Sequence, residues 1–431
     1  MPKALTTTAT IGSAATIRSA VNACALGSSS AMRPISHALY ANIANVVDVA
    51  RLQDPVASSS AHPTEAGRQN HSARVTQSNE TTVVRRNEEC VRILRSLMTR
   101  ALLHGGIATA IGSLPHPDAP DAAALMLRTM PDLPAAPSLP CRSPHEGMLA
   151  QWLRALPEVA VGADGALSLR PGTFDASAVD VAFDECAHGG LLEFIELAVA
   201  QSTAPKAIKL QLSGPLTLAL ALIDLGVQPD VAFARASRCA SAWAQALVEL
   251  VKGRLPDTEV VMFFDEPGLV HWASDHPVID VESASDYLSA ALAAPECVVG
   301  VHVCGAGALD VALAAGPDVI GIDVHERWLD HAVGLARFLD GGGFIAWGAV
   351  PTDRPIGELA APLWKELVAL WCDLTQRGCD PVLLRRQAMV TPACGLALHG
   401  PSQAERALRL TRELADRVFD QALGTRLSIG A

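Results

Sequence analysis

His302 and Cys304 close the apolar run CVVGVHV, which begins at Cys297, with a single residue between them. In an extended strand residues i and i+2 point to the same side, so an imidazole and a thiol stand together on one face. Two such donors suit a shared metal ion, and borderline-soft Zn²⁺ takes nitrogen and sulfur ligands tetrahedrally. Cys394, in VTPACGL at the end of a later apolar run, is a candidate third ligand, and Asp323, which ends DVIGID, a candidate fourth. A His-x-Cys pair alone is equally compatible with a buried histidine beside an inert core thiol. The second strand-end cysteine, followed directly by Gly395, favours the metal. Cys186, Cys239, Cys297 and Cys372 read as small core residues rather than ligands.

Asp265 and Glu266 follow the apolar run EVVMFF and precede Pro267, so two adjacent carboxylates emerge at one rim. They could serve as a general base or as a clamp on a substrate amine; the alternative is a solvated turn before a proline. Successive strand side chains oppose each other, so one of the two is expected to face a pocket. Gly341, Gly342 and Gly343 precede a strand and have no following P-loop lysine, which reads as a tight turn rather than a phosphate cradle.

These residues require strands to carry them. Short β-rich runs (AIKLQL from Ala207, EVVMFF from Glu259, CVVGVHV from Cys297, DVIGID from Asp318, GFIAWG from Gly343, AMVTP from Ala388) alternate with longer Ala/Leu-rich segments of helical period, such as those from Val231 and Ser402. Strand–helix–strand alternation predicts a parallel sheet, closed as a TIM (β/α)8 barrel or open and doubly wound. The candidate residues fall at or just after the ends of several different runs, where barrel enzymes place their chemistry, so the barrel is the expectation.

The 431 residues are half hydrophobic and 18% charged, with a mean hydropathy of +0.26, so a large core can be buried. No stretch approaches the length of a membrane span; LTLALALIDLGV, from Leu216, is broken by Asp224. The ten cysteines form no compact disulfide framework, which suits a reducing cytoplasm. Residues 1–100 carry 11 Lys+Arg against 6 Asp+Glu, a balance of +5; subtraction from the totals of 33 and 45 leaves 22 against 39, or −17, for residues 101–431. So acidic a body repels a nucleic-acid backbone, and nucleic acid is excluded as a partner. The Ala/Ser/Thr-rich residues 1–100 are expected to be a largely disordered extension, a transit sequence being the alternative, with a short helix over residues 88–103 leading into the body.

From about Ile107 onward the chain resembles the catalytic domain of cobalamin-independent methionine synthase and the superfamily this shares with uroporphyrinogen decarboxylase. The resemblance rests on seven pieces in order: TAIGSLPHPD from Thr109, IKLQLSGPLTLA from Ile208, FFDEPGL from Phe263, GVHVCG from Gly300, DVIGID from Asp318, IAWGAVPT from Ile345 and VTPACGL from Val390. It implies a single-barrel, zinc-dependent methyltransferase, linked to methionine biosynthesis. Such an enzyme moves a methyl group from a methyl donor to a small-molecule thiol such as homocysteine. His302, Cys304 and Cys394 match three zinc ligands of the family. The fourth there is a glutamate, and Asp323 stands at the matching position, one methylene shorter; Glu326, or an open position for substrate sulfur, are the alternatives. Ile111, Gly112 and Ser113 match a loop that contacts the amino-acid substrate, and Asp265 and Glu266 match the acidic pair near its amine. The resemblance leaves two donors open, methyltetrahydrofolate and a methylcorrinoid presented by a partner protein. Two rival readings are a cofactor-free decarboxylase of the uroporphyrinogen type, disfavoured because the body is acidic and its first motif, TAIGSLPHPD, offers no arginine cluster, and a non-catalytic zinc-containing subunit that handles a corrinoid.

Overall fold

The computed structural model of the protein describes residues 99, 102–172, 177–273, 278–305 and 308–428. The expected extension over residues 1–100 lies outside them except for Thr99, as does most of the helix expected over residues 88–103.

Among the described residues nine strands form: β1 (Ile107–Ala108), β2 (Val159–Val161), β3 (Leu167–Leu169), β4 (Ala207–Ser213), β5 (Glu259–Asp265), β6 (Val298–His302), β7 (Val319–Asp323), β8 (Phe344–Val350) and β9 (Ala388–Pro392). β2 and β3 make a separate antiparallel pair. The other seven make one parallel sheet in the order β1-β9-β8-β7-β6-β5-β4. Helices such as Pro229–Arg254, Val281–Ala293 and Ala360–Gln376 separate the strands in sequence, as a parallel ladder requires. The six apolar runs read from the sequence correspond to β4 through β9.

The strands are apolar on both faces, and their residues sort by parity into two clusters. Val260, Met262 and Phe264 pack into the large cluster shared with the helices. Val261 and Phe263 join Ala207, Val298, Val319, Phe344, Ala346, Met389 and Ile107 in a second, smaller cluster. The second cluster draws residues from all seven strands, so it fills the inner side of a curled sheet.

Among the described residues the parallel sheet has seven strands, not the eight of the expected barrel. Residues 134–138 run between the two sheet edges without forming a regular strand. Ala135 bridges Lys209 of the β4 edge, and Ser138 bridges Ser113, just beyond β1 at the other edge. Pro134 O accepts from Lys209 N at 2.8 Å, and Ala136 N donates to Lys209 O at 2.9 Å; Leu114 N and Gly112 O make the corresponding bonds to Ser138. Prolines at 134 and 137 remove two ladder donors, which accounts for the irregularity.

Two of the cysteines expected in the core are elsewhere: Cys239 and Cys297 are buried, but Cys186 and Cys372 are exposed. The helix Glu185–Ala200 is interrupted at His188, whose φ/ψ of −136°/17° is not helical. There the buried imidazole sits among Trp152, Phe183 and Trp243, with ring centroids 5.9, 5.3 and 5.1 Å away. Among the described residues no helix is long and apolar enough to cross a membrane.

Candidate metal centre

Inner parity on the parallel strands continues past the apolar layers to their carboxyl ends. Two residues beyond Val261 and Phe263 comes Asp265, which is in register with His302 of β6, itself in register with Gly321 of β7. Cys304 follows His302 by two residues, and the chain turns away immediately after it through Gly305, whose φ of +62° a side chain would resist. Cys394 stands two residues beyond β9. Its segment is drawn in where Ala393 N donates to Val350 O at 2.8 Å. Gly348 of β8 permits that approach, since a Cβ there would lie 2.6 Å from Ala393 Cα.

Three of the expected ligands therefore meet. Cys304 Sγ lies 3.0 Å from His302 Nε2 and 3.6 Å from Cys394 Sγ. The three donor atoms all fall within 4.8 Å of one another, a spacing that suits one ion. Tetrahedral zinc with Zn–S bonds of about 2.3 Å places two sulfurs about 3.8 Å apart, so this donor set fits zinc in both type and spacing. Both cysteines are free thiols; His302 is buried, Cys304 half-buried and Cys394 exposed. The thiols share their protons unequally. The hydrogen bond from Cys304 holds Cys394 down to about 4, while donating that hydrogen pushes Cys304 up.

Asp323 is not part of this cluster. Its two carboxylate oxygens lie 2.8 and 2.7 Å from Arg327 Nη1, and Trp328 Nε1 donates to Oδ1 at 2.9 Å. Glu326, exposed at the start of the short 3-10 helix Glu326–His331, is also outside it.

Strand alternation separates the acidic pair. Asp265 faces inward, and its Oδ1 is buried and accepts no hydrogen bond. Burial pushes this carboxyl up to about 6, against the opposing pull of Lys209 and His302. Glu266 faces outward and is fully buried at the start of the helix Pro215–Asp224. It accepts from Leu216 N at 2.9 Å, Thr217 N at 2.8 Å and Thr217 Oγ1 at 2.6 Å. It thus satisfies N–H groups that the first turn leaves unpaired, which is a structural duty. Burial pushes it up to about 7 despite these bonds.

Ile111, Gly112 and Ser113 pass beside the Cys394 turn: Ser113 O accepts from Leu396 N at 3.0 Å, and the Ser113 hydroxyl packs on the bare α-carbon of Gly395. Gly112 has φ +136° and lies against the Gln211 side chain, leaving no room for a Cβ.

Sequence reasoning missed Lys209 and Gln211. Lys209 is wholly buried inside the sheet, where its ammonium donates to Ile111 O at 2.6 Å and to Gln211 Oε1 at 3.2 Å and lies 4.8 Å from the centroid of the Phe263 ring. Burial draws it down to about 8, and Asp265 opposes the shift. The signal was present: a lysine and a glutamine at alternate positions of an otherwise apolar strand, AIKLQL.

No family model matches this sequence, and no curated protein matches it. Solved structures similar to the chain include a methyltransferase from Methanosarcina mazei, at 16% identity and a TM-score of 0.47, the match covering 74% of this chain and 97% of that one. Another, from Listeria monocytogenes, is provisionally described as a vitamin-B12-independent methionine synthase. It is 14% identical with a TM-score of 0.43, covering 72% of this chain and 97% of that one. At these values the likeness carries no activity across to this chain.

Proposed function

We propose that the protein is a zinc-dependent methyltransferase of the methionine synthase type, built on a barrel-like body over residues 101–431. It transfers a methyl group from methyltetrahydrofolate or a methylcorrinoid to a thiol such as homocysteine, in the cytoplasm. The observation that carries this reading is the meeting of His302, Cys304 and Cys394 within 4.8 Å at the carboxyl ends of two separate strands. The seven ordered motifs of the sequence support it.

Zinc bound to these three residues would acidify a substrate thiol, which is otherwise largely protonated at neutral pH, and so make it a nucleophile. The chain's own residues do the rest. Cys304 and Cys394 provide the anionic sulfurs, and His302 a nitrogen fixed by its place on β6. Asp265 offers the inward Oδ1 as an acceptor for a substrate ammonium, while Lys209 balances its charge from below. Ile111, Gly112 and Ser113 wall the approach beside Cys394.

The test is metal analysis of purified protein and of Cys304→Ser, together with methyl transfer to homocysteine from methylcobalamin and methyltetrahydrofolate in parallel. One equivalent of zinc that is lost in the variant, with turnover on either donor, supports the reading. Metal-free wild-type protein of unaltered stability points instead to the decarboxylase. Bound zinc without turnover points to a corrinoid-handling subunit.

A further inference from the structure

Asp323 lies where a fourth ligand would be expected, and it is engaged elsewhere. The β6–β7 register pairs His302 with Gly321, and Val303 N continues it by donating to Gly321 O at 2.9 Å. Two residues further along both strands, Asp323 comes level with Cys304 on the same inner face. Its carboxylate is nonetheless turned to other partners. What holds it is the turn that follows: Arg327, four residues on, contacts both oxygens, and the buried Trp328 donates to Oδ1 and to the Asp323 carbonyl, each at 2.9 Å. The Arg327 guanidinium also lies 5.4 Å from the Trp328 ring centroid, which fixes its orientation. To ligate a metal the carboxylate would surrender these charge-assisted bonds at once.

We infer that Arg327 is a positioning residue that withholds Asp323 from the His302–Cys304–Cys394 cluster and so reserves the fourth coordination position for the substrate's thiol. The inference rests on the proposed function and adds to it a reason why the centre keeps three protein ligands. A zinc centre that keeps an exchangeable position can take a substrate ligand directly.

The experiment uses the full chain as wild type, Asp323→Asn, Arg327→Gln and the double variant, each checked for native circular dichroism. Zinc affinity is read by competition with a chromogenic chelator. The Co²⁺-substituted absorption spectrum is read with and without homocysteine. Asparagine at 323 keeps Oδ1 as an acceptor for Trp328, so the turn is preserved. The expected result is unchanged zinc affinity in Asp323→Asn. Arg327→Gln should bind zinc about 10- to 100-fold more tightly, because the freed carboxylate joins the metal, and the double variant should return to the wild-type value. Homocysteine should alter the cobalt spectrum of the wild type and of Asp323→Asn, but not that of Arg327→Gln. An affinity loss of about tenfold or more in Asp323→Asn makes Asp323 a resident ligand and overturns the inference. Arg327→Gln without tightening overturns it as well. Either outcome leaves the functional reading standing, whereas a wild type with no sulfur-to-cobalt charge-transfer band removes both.

Discussion

The sulfurs of Cys304 and Cys394 lie 3.6 Å apart although ninety positions separate them in the chain. Two anionic sulfurs at that distance repel, and the pair answers by keeping one proton: Cys394 is held down to about 4 and Cys304 is pushed up. Zinc binding at pH 7 should therefore displace about one proton from the pair, and affinity should rise with pH throughout the range above 4. Calorimetry in buffers of different protonation enthalpy counts the protons. A thiol contribution of zero, or of about two, defeats this account.

Lys209→Met should destabilise the protein by about 3 kcal/mol, because it leaves the Ile111 carbonyl without its buried donor and Asp265 without its cation. The methionine fills the same space, so packing alone predicts little change. The double variant Lys209→Met/Asp265→Asn should recover part of the loss in denaturant unfolding. Strict additivity of the two single effects would show that the groups do not interact.

His188 is buried among aromatic rings, and burial holds its imidazole down to about 4. The unfolded chain takes up its proton near pH 6.5, so between these values the unfolded state binds more protons than the folded one. Stability from this group is complete above about 6.5 and is lost as pH falls toward 4, by about 3 kcal/mol in all. His188→Gln should flatten that part of the acid limb in metal-free protein. An unchanged limb would place the proton elsewhere.

Gly348→Ala puts a Cβ 2.6 Å from Ala393 Cα. The end of β9 must then move away, carrying Cys394 with it. Zinc affinity should fall by about 10-fold or more, with a smaller effect on the unfolding midpoint. An equal Ala substitution at Gly357, which meets nothing within 4 Å, is the control.

What was legible in the sequence followed from strand parity. The alternation that separates Val261 and Phe263 from Met262 and Phe264 also turns Asp265 inward and Glu266 outward, and it sets His302 and Cys304 on one face. Spacing along the chain could not show that Cys304 and Cys394 approach so closely, since this depends on the sheet curling. Its place at the end of DVIGID and its match to the family's fourth ligand both recommend Asp323 as a ligand. The competing partner, Arg327, was visible only as an i+4 charge that surface turns commonly carry. β1 has two residues and residues 134–138 pair irregularly, so neither left a periodic signal. The exposed Cys186 and Cys372 show that thiols are a poor guide to the interior when they fall on helices near the rim or surface.

Residues 134–138 have a consequence beyond shape. The outer flanks of β1 and β4 would otherwise offer rows of free amides and carbonyls to any passing chain. One irregular stretch, interrupted by two prolines, pairs with Lys209 on the β4 flank and with Ser113 just beyond β1. It is a seam, and loosening it unmasks two sticky borders together. Self-association under mild denaturation should therefore begin here, well before the helix-backed interior of the sheet gives way.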